Sequence, residues 1–258
     1  VTVLDRTGPR RLSPALLAAG LLLAARPASA GPPFVTDDPE PVDYRHIEVN
    51  IAAIGLVQKN GTASPFPPVD ANWGALPDLQ LHAAFGLVYA EEHGAVWAGY
   101  GDTELGAKYR FIHQDPDGWR PEVALYPLLE LPSGDAAHGL GTGHVQLFLP
   151  LWLEKDWGDW TSYGGGGFWD NHHGATDRNS WLFGWVLLRK VTDDLQIGGE
   201  LYRQTAMLAD QPGTTAFNLG GTWDLSETGH ILFSFGRGLD HAETDDRFSF
   251  YVGYRITR

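Results

Sequence analysis

From Gly31 onward apolar and polar residues alternate with period two, and helical spacing is hard to find. Between Asp102 and Phe111 one alternate set is Asp102, Glu104, Gly106, Lys108 and Arg110. The other set is Thr103, Leu105, Ala107, Tyr109 and Phe111. Similar stripes run through Val145, Leu147, Leu149, Leu151 and Leu153, through Leu195, Ile197, Gly199 and Leu201, and through Phe248, Phe250, Val252, Tyr254 and Ile256. Successive strand side chains point to opposite faces, so each segment predicts a strand with one greasy and one polar side.

Segment length separates two all-β architectures. Strands of a soluble sandwich run about 5–6 residues, whereas several segments here run about 10–12, enough for a tilted strand to cross a bilayer. The connections alternate too. Short turns are expected at Ala75–Asp78, Lys155–Gly158, Lys190–Asp194 and Ser226–Gly229. Longer polar loops are expected at Gln58–Phe66, Ala90–Trp97, Ser133–Gly143, Asp170–Asn179, Met207–Gly213 and Leu239–Asp245. An even strand number needs one further strand, and Pro68–Gly74 supplies it. The prediction is all-β: an antiparallel transmembrane β-barrel of about twelve strands, with short periplasmic turns and longer external loops. Pro127 and Pro150 fall inside proposed strands, where a missing N–H calls for a bulge or a water-facing gap.

The start of the chain reads differently. Arg6, Arg10 and Arg11 precede an apolar run from Ala15 to Ala25, and Ala28-Ser29-Ala30 follows. This order predicts a cleaved secretory signal over 1–30, a periplasmic N-terminal segment over 31–45 and a barrel over 46–258. The expected location is the outer membrane of a Gram-negative bacterium. The formal charge of −14 excludes a typical nucleic-acid binder. The absence of Cys removes thiolate metal sites and cysteine nucleophiles. Expected partners are outer-membrane lipid, the barrel-assembly machinery and small-molecule solutes, with no nucleic acid.

Several pieces carry a resemblance: Pro32-Pro33-Phe34-Val35-Thr36-Asp37-Asp38-Pro39-Glu40-Pro41, Gly74-Ala75-Leu76-Pro77-Asp78-Leu79-Gln80, Gly99-Tyr100-Gly101-Asp102-Thr103-Glu104-Leu105 and Pro127-Leu128-Leu129-Glu130-Leu131-Pro132-Ser133-Gly134-Asp135. With them the chain resembles the proteobacterial outer-membrane barrels grouped as the phenol-degradation (meta-pathway) family, often called transporters. The resemblance spans nearly all of the chain after residue 30. It implies passage of small, including aromatic, compounds across the outer membrane.

If the greasy stripes face lipid, Asp102, Glu104, Lys108, Arg110, Glu122, Glu130, His144, Gln146, Glu200 and Gln204 face the lumen and set its selectivity. A charge facing lipid near the midplane costs ~2–4 kcal/mol for Arg or Lys, which forces such groups inward. A carboxylate-rich pore favours cations or neutral polar solutes. The alternative is a structural or interaction barrel plugged by its own pairs, Glu104 and Glu130 with Lys108 and Arg110. Tyr126 and Trp152, on the inward register, are candidates for stacking on a solute. Asp37, Asp38 and Glu40, opposite in charge to Lys108 and Arg110, are candidates for a gate. Gly164-Gly165-Gly166-Gly167 lacks the Lys-Ser/Thr and helix of a phosphate loop. Ser133, Asp135, His138 and His144 cluster in sequence without a nucleophile elbow, leaving a barrel-borne hydrolase as the remote alternative. His172 and His173, near Asp170 and Asp177, lack metal-ligand spacing and read as a solvated loop. No cofactor, metal or energy source is expected, so the sequence predicts a channel or passive porter rather than an enzyme.

Overall fold

A computed structural model of the protein describes residues 31–258 apart from 60, 93–94, 172, 175, 241 and 243–245. The signal expected over 1–30 and His172 lie outside the described residues.

The described residues form fourteen strand segments: β1 Ile47–Val57, β2 Gly61–Leu76, β3 Leu79–Glu92, β4 Ala95–Tyr100, β5 Thr103–Ile112, β6 Glu122–Leu125, β7 Leu128–Leu131, β8 Gln146–Trp157, β9 Trp160–Asp170, β10 Ser180–Lys190, β11 Leu195–Gln204, β12 Thr214–Ser226, β13 Gly229–Gly238 and β14 Phe248–Thr257. All pair antiparallel with their neighbours, and β14 pairs with β1 through Val49↔Ile256 to Val57↔Phe248, so the sheet closes. Both β4 and β5 pair with β3, and both β6 and β7 pair with β5 and β8; each couple is one wall strand broken in the middle. The wall is therefore a closed barrel of twelve strands.

The breaks have local causes. Pro127 separates β6 from β7 and Pro150 lies across from Tyr126 in β8, so two donors are missing at one place in the wall. The interruption is a gap at Tyr126-Pro127, with a register shift of β5 against β6 between Arg110 and Ile112. The Pro150 carbonyl accepts from Tyr126 N–H at 3.2 Å, the Pro127 carbonyl accepts from Ala107 N–H at 3.2 Å, and the register is the same on both sides of the break. The β4/β5 break falls at Gly101-Asp102, where Asp102 turns aside to hold a loop.

Two expected loops are strand instead. Gly61–Phe66 belongs to β2 and Ala95–Trp97 to β4, because Thr62 and Ala63 pair with Val57 and Leu56 while Ala90 pairs with Trp97. Pro68–Gly74, the strand invoked for parity, lies in the second half of β2, after a register shift between Pro65 and Pro68.

Outside and inside separate as the pleat requires. Along β10 the accessibility alternates strictly, with Trp181, Phe183, Trp185 and Leu187 exposed and Ser180, Leu182, Gly184 and Val186 buried. Exposed Leu201, Leu219 and Phe235 continue this apolar belt on β11 to β13. Large apolar side chains left out of the core on every second position match a lipid-facing surface and not a solvated one. The buried set mixes apolar residues with many polar ones, among them Asn50, Asp70, Asn72, Gln80, His82, Lys108, Glu122, Gln146, Glu200 and Asn218.

Candidate functional site

Residues Gly31–Asp43 are not part of the wall. They enter the barrel from the short-turn end, where Tyr44 bridges to Gly74 and the Arg45 N–H donates to the Gly74 carbonyl at 2.7 Å. They then cross the lumen as a strap held by side chains of several strands.

On one side Glu200 of β11 is the main anchor. Its carboxylate accepts from the N–H of Thr36 at 2.5 Å and of Val35 at 3.2 Å, and Asn218 on β12 supports it at 2.6 Å. Ser234 of β13 donates to the Pro33 carbonyl at 2.5 Å, and Arg255 of β14 reaches the Pro32 carbonyl at 3.4 Å. The Phe34 ring is buried against Tyr163, Val186 and Leu188. Gly184 is what lets the strap lie so close: a Cβ there would overlap Thr36 Oγ1.

The opposite wall supplies the positive charge. Lys108 Nζ on β5 lies 3.1 Å from Asp37 Oδ1 and 3.4 Å from Asp38 Oδ1, and it also donates to the Glu40 carbonyl at 3.4 Å. Gln80 on β3 accepts from Val42 N–H at 2.9 Å. Burial pushes the Asp37 carboxyl up to about 7 against the pull of Lys108, with Asp38 adding a like charge. Glu40 is likewise raised to about 7, chiefly by burial and by Asp38 and Glu122. Between strap and wall remains a cavity of ≈ 360 Å³, bordered among others by Asp38, Glu40, Asn72, Lys108 and Arg255.

Of the residues expected to line the lumen, Lys108, Glu122, Gln146 and Glu200 are buried and Asp102, Glu104, Arg110, Glu130, His144 and Gln204 are half-buried, and their pairing differs from that of the plugged alternative. Glu104 does not meet Lys108; its carboxylate accepts from His82 Nε2 at 3.0 Å. Arg110 turns to Asp78, at 2.8 Å from Nε, and to Glu122, at 3.2 Å. Glu130 stands across from Glu104 in the β5–β7 register. The alternation fixed the face of each residue and left its partner to strand register and to the strap. Asp102 ties the Ser133–Gly143 loop inward, accepting from Gly134 N–H at 2.8 Å and Thr142 N–H at 2.6 Å. His144 and Gln146 share Asn171 as partner, and Gln204 contacts Met207. Tyr126 and Trp152 are buried with Leu128, Phe148, Trp169 and Leu182, and Val35 of the strap packs on that cluster.

Ser133, His138 and His144 have separate partners. Ser133 bonds Thr103 and the Gly101 carbonyl, His138 bonds Asp135 at 2.6 Å, and His144 is taken by Asn171. No group of His, Asp and Glu able to hold a metal is present among the described residues. Sequence reading passed over Asp70, Asn72 and His82, which form one buried network: Asn72 Nδ2 donates to Asp70 at 2.8 Å, and His82 Nδ1 lies 3.1 Å from Asp70. The signal was there in the polar alternate positions of Leu79-Gln80-Leu81-His82.

A closed antiparallel barrel that is apolar outside, polar inside and short-turned at the end bearing both the strap entry and Arg258 is an outer-membrane β-barrel. Residues 67–256 match the family described as "Putative MetA-pathway of phenol degradation", and the chain belongs to it. A crystal structure of an outer-membrane channel from Pseudomonas putida F1 is similar at TM-score 0.65 and 14% identity, over 85% of this chain and 99% of that one. The KdgM porin is similar at TM-score 0.54 and 13% identity, over 80% and 98%. At these identities the likeness is one of fold. A search of curated proteins finds no match.

Proposed function

We propose that the protein is a passive outer-membrane channel or porter for small polar or aromatic solutes, and that the strap is its gate. The observation that carries this reading is the strap itself. A peptide that contributes nothing to the wall spans a polar lumen from Glu200 to Lys108 and is held almost entirely by side-chain contacts. Such contacts can be exchanged for water or solute without breaking the sheet. With the strap withdrawn, the exposed wall presents Glu104, Glu122 and Glu200 beside Lys108 and Arg110, a mixed field rich in carboxylates that suits neutral or cationic solutes. The inward groups set selectivity, Tyr126 and Trp152 offer rings to a solute once Val35 leaves, and no catalysis or energy input takes part. Export by the segment over 1–30 and insertion by the barrel-assembly machinery complete the reading.

Liposome swelling tests it. Vesicles carrying the protein without residues 31–41 are expected to swell in small sugars and neutral aromatic solutes faster than vesicles carrying the full mature chain. A second reading, a plugged structural barrel, is favoured by the buried Phe148–Trp169 stack, whose ring centroids lie 4.6 Å apart within the lumen. That reading requires equal, negligible swelling in both preparations.

A further inference from the structure

We infer that the pocket now filled by Phe34 is a binding site for a small aromatic solute bearing an O–H or N–H donor, and that such a solute displaces the strap. The inference rests on the passage reading, since the solute must reach the lumen.

The strap shows what the wall site accepts. Phe34 is 5% exposed, and its ring is enclosed by Tyr163, Val186 and Leu188, an apolar slot separate from the cluster around Phe148 and Trp152. Beside it stands an acceptor: Glu200 is the direct cross-strand partner of Val186. That carboxylate takes two N–H groups, from Val35 and Thr36, within two residues of the seated ring. Ring slot and carboxylate are therefore adjacent features of one wall, built from β9, β10 and β11. Their present occupant belongs to a segment outside the sheet.

A free molecule offering the same two elements, a phenyl-sized ring and a donor on a short chain within the four bonds that part the Phe34 ring from the Val35 nitrogen, satisfies both without the cost of ordering a peptide. Its binding to the strap-free wall shifts the population toward the released strap by mass action. An aromatic carboxylate is disfavoured, because it sets an anion without a proton against the Glu200 acceptor.

Hydrogen–deuterium exchange at the Val35 and Thr36 amides, in full-length mature protein held in lipid nanodiscs, reads strap release directly. Benzyl alcohol and benzylamine are the probes; benzoate and ethanolamine are controls lacking the donor-only polar end and the ring. Both probes are expected to accelerate exchange at least about tenfold at saturation, with neither control doing so. Phe34→Ala, which empties the slot without touching the wall, is expected to tighten benzyl alcohol binding. Val186→Phe, which fills it, is expected to abolish the response. Exchange unchanged by both probes, or accelerated equally by benzoate or ethanolamine, overturns the site. If the strap-deleted barrel conducts while the probes do nothing, the site fails and passage stands. If the probes release the strap from a barrel that is silent with and without it, passage fails and the site stands.

Discussion

Lys108 Nζ sits 3.1 Å from Asp37 Oδ1, with both side chains almost wholly buried, and this ion pair ties the strap to the wall across from Glu200. Removing one member of a buried pair leaves the other charge uncompensated, at ~3–5 kcal/mol. Lys108→Met is therefore expected to release the strap while the barrel still folds. Limited proteolysis within 31–43 and open probability in planar bilayers should both rise. A strap as resistant as in the parent protein would show that the pair contributes little to docking.

Gly184 offers a cleaner cut. A methyl group there would overlap Thr36 Oγ1 and crowd Thr36 Cβ at 3.1 Å, with Tyr202 Cβ next at 3.3 Å. Gly184→Ala should displace the strap, and Thr36→Gly in the same chain should seat it again. Contacting residues couple by about 0.5–3 kcal/mol in double-mutant cycles. Strap protection measured by amide exchange across the four proteins of the cycle should show that coupling, and strictly additive effects would contradict the close approach.

Docking should also depend on pH, with a definite sign. Burial raises Asp37 from 3.8, and Glu40 from 4.5, to about 7 in the docked strap, while a strap in water regains the ordinary values. The docked state thus holds more protons between those limits. Its stabilisation is complete below the ordinary values and is lost as pH rises through 7. Facing groups are Lys108 and Asp38 for Asp37, and Asp38, Arg110, Glu122 and Asp156 for Glu40. At acid pH Lys108 keeps Asp38 and the Glu40 carbonyl as partners. The channel is expected to open more at pH 8 than at pH 5, and Asp37→Asn with Glu40→Gln should flatten the profile. Greater opening at pH 5 would reverse the assignment.

The outer face has its own test. Leu219 is 60% exposed near the middle of β12, between Gly199 and Phe235 on the adjacent strands. Leu219→Arg should cost ~2–4 kcal/mol of folding stability in bilayers if that face meets acyl chains near the midplane. Urea titration of the protein refolded into lipid vesicles measures this. A loss near zero would mean that the belt does not contact lipid.

The wall was readable because the pleat is rigid. Once Thr103, Leu105 and Tyr109 are outside, Glu104, Lys108 and Arg110 must be inside, whatever the rest of the chain does. Partners are another matter. The plugged alternative set Glu104 and Glu130 against Lys108 and Arg110, but strand register brings Glu104 to His82, and Lys108 is taken by a segment distant in sequence. Alternation carries no information about how deep a strap enters, so nothing local announced that Phe34 would seat against Tyr163 and Val186. One hint existed: Gly184 interrupts Trp181-Leu182-Phe183-Gly184-Trp185, placing no side chain where the neighbours on its face are large. The prolines marked the right place. Pro127 and Pro150 suggested distortion, and the wall absorbs them by placing both missing donors at one break.

Single-channel recording in planar bilayers bears most directly on the gate. The full mature chain and a chain lacking 31–41 should both insert. The first is expected to show brief openings and the second a steady, larger conductance. Equal conductance in the two, whether open or silent, would contradict a lumen closed by its own N-terminal strap.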